Sequence, residues 1–457
     1  MIDILIVGFY LALILLIGIY NRSKSSDFRG YSHIGDDINK NKIILTATIF
    51  ASAVGGGTTF GITEHAFGGD LSFAYGLLLT IPIDILIAKY LVPKISKYQN
   101  VNSIGEIVFQ HYGKYAQIIT GIAATLISIG YLAVQISVSG RIFSFILGVE
   151  YIYAMVISYI IVITYTTIGG FRSVVINNSL QFFAMIIAVP IVSILGIEFI
   201  GYKEFFISIP SNKYSLVESS ELVYNTIYAV LSFSVMGFYP SFIQRILIGT
   251  NSSSISKAIY YKSAIYALFI ACLSINGLLA LQLTPGSPAE SCLTSLVDII
   301  IPAGLKGVIV VGLIAAVTST ADSDINISAI SVVNDILKPL NIAKSPKKLL
   351  LAAKIFAVLI GSSTILLVLK FQNIVDLIIF SAGLWAPVTL VPIIGILLNK
   401  IISKNGFYAC AFTGAATFLL LENTASHTAI SSIFFATLAS LLCFIFFLNF
   451  HNNKNEI

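Results

Sequence analysis

The chain has 457 residues, of which 57% are hydrophobic and 10% charged, with a mean hydropathy of +0.94. A soluble domain carries about a quarter of its residues as charges, so soluble, disordered, collagen-like, coiled-coil and disulfide-scaffold classes are excluded and lipid is the expected solvent. The formal net charge of +5 is too small and too dispersed to mark a nucleic-acid binder. Cys272, Cys292, Cys410 and Cys443 lack metal-ligand or disulfide spacing and read as small buried hydrophobes.

Apolar windows long enough to cross a bilayer at 1.5 Å per residue follow one another almost end to end. Thirteen are predicted, starting near residues 2, 43, 71, 116, 151, 173, 222, 258, 304, 349, 374, 405 and 427. Continuous apolar runs without period-two alternation predict helices rather than barrel strands, and the gaps leave no space for a soluble domain. The fold class expected is therefore an all-α multi-pass membrane protein, a single unit over residues 1–457.

Basic residues set the orientation. One set of loops carries Arg22, Lys24, Arg29, Lys42, Lys89, Lys94, Lys97, Lys114, Arg172, Arg245, Lys257, Lys262, Lys338 and others, whereas the opposite set carries Arg141, Lys203, Lys213, Lys306 and Lys370. The ratio, roughly twenty to five, predicts the first set in the cytoplasm, the N-terminus outside and the C-terminus inside. The first span lacks the basic flank and cleavage site of a signal peptide, so it is expected to remain as a membrane helix.

Two spans carry breaks. The second contains Gly55-Gly56-Gly57 followed by Thr58-Thr59, and the seventh contains Gly237-Phe238-Tyr239-Pro240. Glycine costs a helix about 1 kcal/mol relative to Ala and internal Pro about 3 kcal/mol, so breaks at membrane depth need compensation. They lie five spans apart on helices of opposite direction, the pattern of a 5+5 inverted repeat whose broken helices 2 and 7 build a transporter's binding site. The core repeat is predicted over about 43–201 and 222–399, with peripheral helices at about 2–20, 405–421 and 427–449. Close helix packing is the other use of such glycines.

The ninth span holds the most polar stretch, Thr318 to Asn326. Ser319, Asp322, Ser323 and Asn326 share one helix face, with Thr320 and Asp324 on the adjacent stripe. An acid in the bilayer interior costs several kcal/mol unless it meets a cation or a cavity, and hydroxyl and carboxylate oxygens are hard ligands suited to Na⁺. Where the second helix unwinds, the carbonyls of Ala51 and Val54 lose their helical partners and become free acceptors. The competing reading bonds the hydroxyls back to their own helix and leaves both acids solvated at the cytoplasmic mouth.

Several separate motifs over nearly the whole chain resemble the sodium:solute symporter family, which shares the LeuT-like inverted repeat. They are Tyr165-Thr166-Thr167-Ile168-Gly169-Gly170 with Ser173-Val174-Val175 and Gln181, the Gln244-Arg245 pair, and Ser319-Thr320-Ala321-Asp322-Ser323 with Asp335. The resemblance implies a sodium-coupled symporter importing a small organic solute by alternating access. It maps a sodium site onto the carbonyls of Ala51, Val54 and Ala316 and the hydroxyls of Ser319 and Thr320. The family's Thr-Asp pair in the sixth helix aligns with Asn177-Asn178, so the acid of a second ion site is missing there. Asp322, with Ser323 and Asn178, is the expected second-ion or coupling set, the charge having moved across to Asp322. Val54-Gly55-Gly56-Gly57 and the ninth-helix run look similar to the choline-transporter branch, although Ala53 stands where that branch has an aromatic.

Gly56, Gly57 and Thr58 at one break, and Ser232, Ser234 and Tyr239 at the other, are expected to line the solute site. Freed amides near Thr58 and Thr59 favour an anionic group there. Glu64 and His65 read as solvated residues at the outer end of helix two. Asp84 and Lys89 are poorly spaced to pair, so Lys89 is expected to snorkel, and Asp376 is placed at the outer start of the eleventh span. No clustered histidines or P-loop pattern suggests an enzyme or an ATP-driven pump. A proton-coupled or uncoupled carrier, a channel or a membrane sensor remain as alternatives, the last disfavoured by the short tail after His451. Expected partners are the solute and the bilayer.

Overall fold

The computed structural model describes residues 1–32, 41–98, 101–207, 219–236, 238–248, 251–343, 345–370, 374–423 and 429–455, and no strand occurs among them. Lys213, Gly237, residue 427 and the side chains of Ser232 and Asp376, all named above, lie outside the described residues. The longer helices are α1 (Ile2–Tyr20), α2 (Lys42–Ala53), α3 (Gly56–Phe67), α4 (Ser72–Leu86), α5 (Lys114–Leu147), α6 (Tyr151–Ile200), α7 (Ser220–Met236), α8 (Pro240–Ile248), α9 (Ser252–Leu283), α10 (Leu305–Ser331), α11 (Pro346–Lys370), α12 (Ile374–Trp385), α13 (Lys404–Asn423) and α14 (Ala429–Asn455).

Nine described helices are long and apolar enough to span a membrane, and the bent pair α2/α3 adds a tenth. Every predicted span start that falls on described residues lies at or near the start of one of the fourteen helices α1 to α14, except residue 173. That start lies inside α6, a 50-residue run interrupted at Gly170 (φ 61°, ψ −163°). Glycine alone reaches this conformation cheaply, so α6 bends into two spans at the Tyr165–Gly170 motif. Ser25 Oγ anchors the bend by donating to the Gly169 carbonyl at 2.7 Å.

Two sets of helices meet along α6, which also packs on α2 and α9. α9 lies against α2, α3 and α4, with α7 on α4, while α10 lies against α5 and α6 with α11 alongside. Lipid offers no hydrophobic drive between helices, so close approach depends on small residues. Gly277 of α9 meets the Thr63 carbonyl and Ala66 of α3, leaving no space for a Cβ. Outward positions are apolar, as Leu5, Phe9 and Leu16 of α1 illustrate, whereas all of α10 from Gly312 to Ser331 is buried. The most polar helix is therefore the central one.

Candidate functional site

α2 ends at Ala53 and α3 begins at Gly56, with a bend of 57° between them. Val54 (φ −105°, ψ 101°) and Gly55 (φ −116°, ψ −175°) are extended, which any residue tolerates, so space explains the glycines. A Cβ on Gly55 would stand 2.7 Å from Gln135 Nε2 and 2.9 Å from Thr320 Oγ1, and one on Gly56 would stand 2.9 Å from Val138 Cβ. The triple glycine thus lets α5 and α10 close on the break. Gly56 N donates to Gln135 Oε1 at 2.6 Å, an amide capped by a side chain 79 residues away that no local pattern marks.

The five predicted sodium ligands converge. Ser319 Oγ lies 3.0 Å from the Ala51 carbonyl oxygen and 3.1 Å from that of Ala316. Thr320 Oγ1 lies 3.1 Å from the Val54 carbonyl oxygen and 3.4 Å from that of Ala51. All five residues are buried. Each hydroxyl has one hydrogen and faces two carbonyls, so it keeps lone pairs to offer, and the set consists of oxygens alone. Such a set suits a hard monovalent cation.

One turn further along α10, Asp322 and Ser323 form a different cluster. Tyr165 donates to Asp322 Oδ2 at 2.9 Å, and Ser323 Oγ lies 3.2 Å from Asp322 Oδ1. Asn178 Nδ2 reaches Thr48 Oγ1 at 3.3 Å and Ser323 Oγ at 3.4 Å. Arg245 Nη2 donates to Ser323 Oγ at 2.6 Å, and its guanidinium lies 4.8 Å from the Phe171 ring. Gln181 holds Thr318 Oγ1 at 2.9 Å. Asp335, in the turn just after α10, takes hydrogen bonds from Ser103 at 2.5 Å and Gln117 at 3.1 Å, which makes it a packing staple.

Several expectations are corrected. Asp322 and Asp324 are fully buried, so neither is solvated at a cytoplasmic mouth. Arg245 and Lys262, counted with the loops, are buried inside α8 and α9. Asp84 and Lys89 do not pair, as expected: Asp84 pairs with Lys262 at 2.6 Å and Lys89 is exposed beside Tyr90. Glu64 is not simply solvated: it pairs with Arg141 at 3.3 Å, and Arg141 also approaches Glu290 at 3.8 Å.

The expected solute residues surround the two breaks unevenly. Gly56 and Gly57 face α5, and Thr58 Oγ1 lies 3.5 Å from the Ala53 carbonyl. Ser234 bonds back to Val230 of its own helix at 2.5 Å. Tyr239, just before α8, donates to the Ser52 carbonyl and stands 5.2 Å from the Tyr131 ring, joining the second break to the first.

The profile of the Sodium:solute symporter family matches residues 40–414. The chain belongs to this family. It is a multi-pass membrane protein and a sodium-coupled symporter of a small solute, with Na⁺ as the co-transported ion, and family and fold point to a transporter rather than an enzyme. It is 22% identical over 459 residues to the sodium/pantothenate symporter of Haemophilus influenzae, covering 93% of this chain and 91% of that one. It is 25% identical over 203 residues to the osmoregulated proline transporter OpuE of Bacillus subtilis, covering 42% and 40%. Among solved structures, a substrate-bound, outward-open Na⁺-coupled sialic acid symporter superposes with a TM-score of 0.86 at 16% identity, over 98% of both chains. MhsT in complex with L-phenylalanine superposes at 0.59 and 18% identity, over 88% of this chain and 97% of that one.

Proposed function

We propose that the symporter holds Na⁺ between the Ala51, Val54 and Ala316 carbonyls and the Ser319 and Thr320 hydroxyls, and binds its solute beside the same helix break. The observation that carries this reading is the oxygen-only set at the α2/α3 break. An ion there fastens the group containing α2, α3 and α9 to the group containing α5, α6 and α10. Sodium entry then stabilises the outward-open arrangement and raises solute affinity, a coupling that is reciprocal by linkage.

The solute class favoured is a small carboxylate. The amides of Gly57 and Thr58 sit in the first turn of α3, where the helix dipole favours an anion, and pantothenate, proline and sialic acid, named for the relatives, all carry a carboxylate. Thr58, Ser234 and Tyr239 are the flanking contacts, with Ser232 and the glycines Gly56 and Gly57 completing the predicted set. A quaternary ammonium such as choline is disfavoured, because the position before Val54 is Ala53 rather than an aromatic and the relatives found transport other solutes. The core repeat over 43–201 and 222–399 and the topology, N-terminus outside and C-terminus cytoplasmic, belong to the same proposal. Removing Arg245 and Lys262 from the loop count leaves the charge asymmetry intact.

A thermal-shift screen of carboxylate, amine and sugar solutes with NaCl or KCl tests the reading. A carboxylate that stabilises the protein in NaCl and not in KCl is the expected result. Stabilisation confined to amines, or independent of Na⁺, overturns it.

A further inference from the structure

The chain leaves α1 in a turn that is fixed on both sides. Gly18 lies against Tyr165 of α6, where a Cβ would stand 2.8 Å from the Tyr165 Cβ, so α1 closes on α6 just before its end. The 3-10 helix Asn21–Ser25 follows, fastened where Ser25 Oγ donates to the Gly169 carbonyl at 2.7 Å. Next comes the short helix Phe28–Ser32, whose Phe28 and Tyr31 pack in one cluster with Ala353 of α11. Between the turn and α11 lies a cavity of about 480 Å³, with Arg22, Ser23, Ser26 and Lys354 on its polar side and Ile19 and Leu350 on its apolar side. Small-molecule sites span about 300–1,000 Å³.

The polar side has the chemistry of an anion site. Arg22 and Lys354 reach it from opposite walls, and no carboxylate among the described residues pairs with either. Asp27, the acid nearest in sequence to Arg22, turns to Gly30 N, which donates to its Oδ1 at 2.7 Å. Ser25 spends its hydrogen on Gly169, which leaves the Ser23 and Ser26 hydroxyls as donors beside the two cations. A guanidinium fork, an ammonium and two hydroxyls match the oxygens of a phosphate.

The surroundings are lipid. Leu16 and Ile19 of α1 and Leu351 and Ile355 of α11 are exposed, so the apolar faces of two spanning helices lead up to the cavity. Tyr20, exposed at the end of α1, is of the residue type that settles at headgroup depth. A free phosphate would meet the polar side alone, whereas a phospholipid uses both. Basic pockets between spanning helices on the cytoplasmic side suit anionic headgroups, and the topology proposed above puts the end of α1 on that side.

We propose that this cavity binds the headgroup of an anionic phospholipid, with Arg22 and Lys354 taking its phosphate oxygens and its acyl chains lying along α1 and α11. Both helices pack on α6, so the lipid ties them together beside the bend at Gly170. The site is separate from the sodium set and the solute contacts.

The test is thermal unfolding of the purified full chain in neutral detergent micelles, titrated at constant ionic strength with phosphatidylglycerol, phosphatidylcholine or inorganic phosphate. Phosphatidylglycerol alone is expected to raise the unfolding midpoint of the wild type. Arg22→Gln with Lys354→Gln is expected to weaken its apparent affinity by about tenfold for each cation removed. Lys24→Gln with Arg29→Gln removes the same charge outside the cavity and is expected to cost less than about threefold. Equal losses in the two pairs overturn the site, since attraction is then diffuse, and so does a wild type that ignores phosphatidylglycerol or responds equally to phosphatidylcholine. Equal stabilisation by inorganic phosphate overturns the lipid as occupant. Arg22 is exposed, so Arg22→Gln alone decides the matter where the double variant does not accumulate: unchanged affinity overturns the proposal. None of these outcomes bears on sodium binding at Ser319 and Thr320.

Discussion

Two polar clusters lie one turn apart on α10, equally buried and built from similar residue types, yet their chemistry is opposite. The hydrogen-bond partners of the Ser319 and Thr320 hydroxyls are all carbonyl oxygens, those of Ala51 and Val54 at the break after Ala53 and that of Ala316 in α10. Around Asp322 and Ser323 the side chains arriving from other helices are donors: Tyr165, Asn178 and Arg245. Serine in a membrane helix therefore specifies little by itself. Whether a broken helix presents carbonyls to it, or side chains present N–H and O–H groups, decides if it ligates an ion.

The largest effect that this contrast predicts is on the acceptor cluster. Hydrogen bonds to charged groups are worth about 1.5–3 kcal/mol each, and every 1.4 kcal/mol is about tenfold in affinity. Ser319→Ala with Thr320→Ala is thus expected to weaken Na⁺ binding about 10²–10⁴-fold. Solute-dependent ²²Na⁺ uptake into vesicles should collapse while the protein still inserts; retained uptake breaks the assignment of these hydroxyls as ligands.

Asp322→Asn tests whether the donor cluster acts through its charge. At an effective dielectric of about 20, two charges several ångströms apart influence each other by about 2 kcal/mol. The variant keeps the shape and is expected to weaken Na⁺ binding about 30-fold, read from the ²²Na⁺ isotherm. Unchanged sodium affinity and stoichiometry would sink the idea that Asp322 carries the charge missing at Asn178.

Gln135→Leu addresses the first break without touching a sodium ligand. It leaves the Gly56 N–H without the acceptor now at 2.6 Å, a loss of about 1–3 kcal/mol for a buried donor. The expected outcome is about a tenfold loss of solute affinity with a smaller change in that of Na⁺, separated by titrating each in a thermal-shift assay.

What was legible in the sequence divides along the same physical line. Composition and apolar runs located the helices, because lipid forces every backbone polar group into local hydrogen bonds. The Gly55-Gly56-Gly57 run located the break, and helical spacing on α10 separated the stripe of Thr320 from that of Asp322, because both are local properties of the chain. Partners were not legible. Gln135 and Gly56 are 79 residues apart, Arg245 and Ser323 are 78 apart, and Asp84 and Lys262 are 178 apart. Charge counting even assigned Arg245 and Lys262 to loops, since a basic residue looks the same in sequence whether it faces water or the interior of the helix bundle.

Ser323→Ala gives the smallest expected effect on sodium and sharpens the comparison most. Ser319 and Ser323 are four residues apart, on the same helix face, and a reading from residue type alone gives them equal weight. The hydrogen-bond inventory does not: Ser323 spends both lone pairs on Arg245 and Asn178, so removing its oxygen takes no ligand from Na⁺. Its loss leaves the guanidinium one acceptor short, at a stability cost of about 1–3 kcal/mol. Sodium affinity should therefore change less than about threefold, under 0.7 kcal/mol, while the unfolding midpoint falls. Equal losses of ²²Na⁺ affinity in Ser319→Ala and Ser323→Ala would mean that the ion reaches the second cluster after all, and that Arg245 moves out of its way.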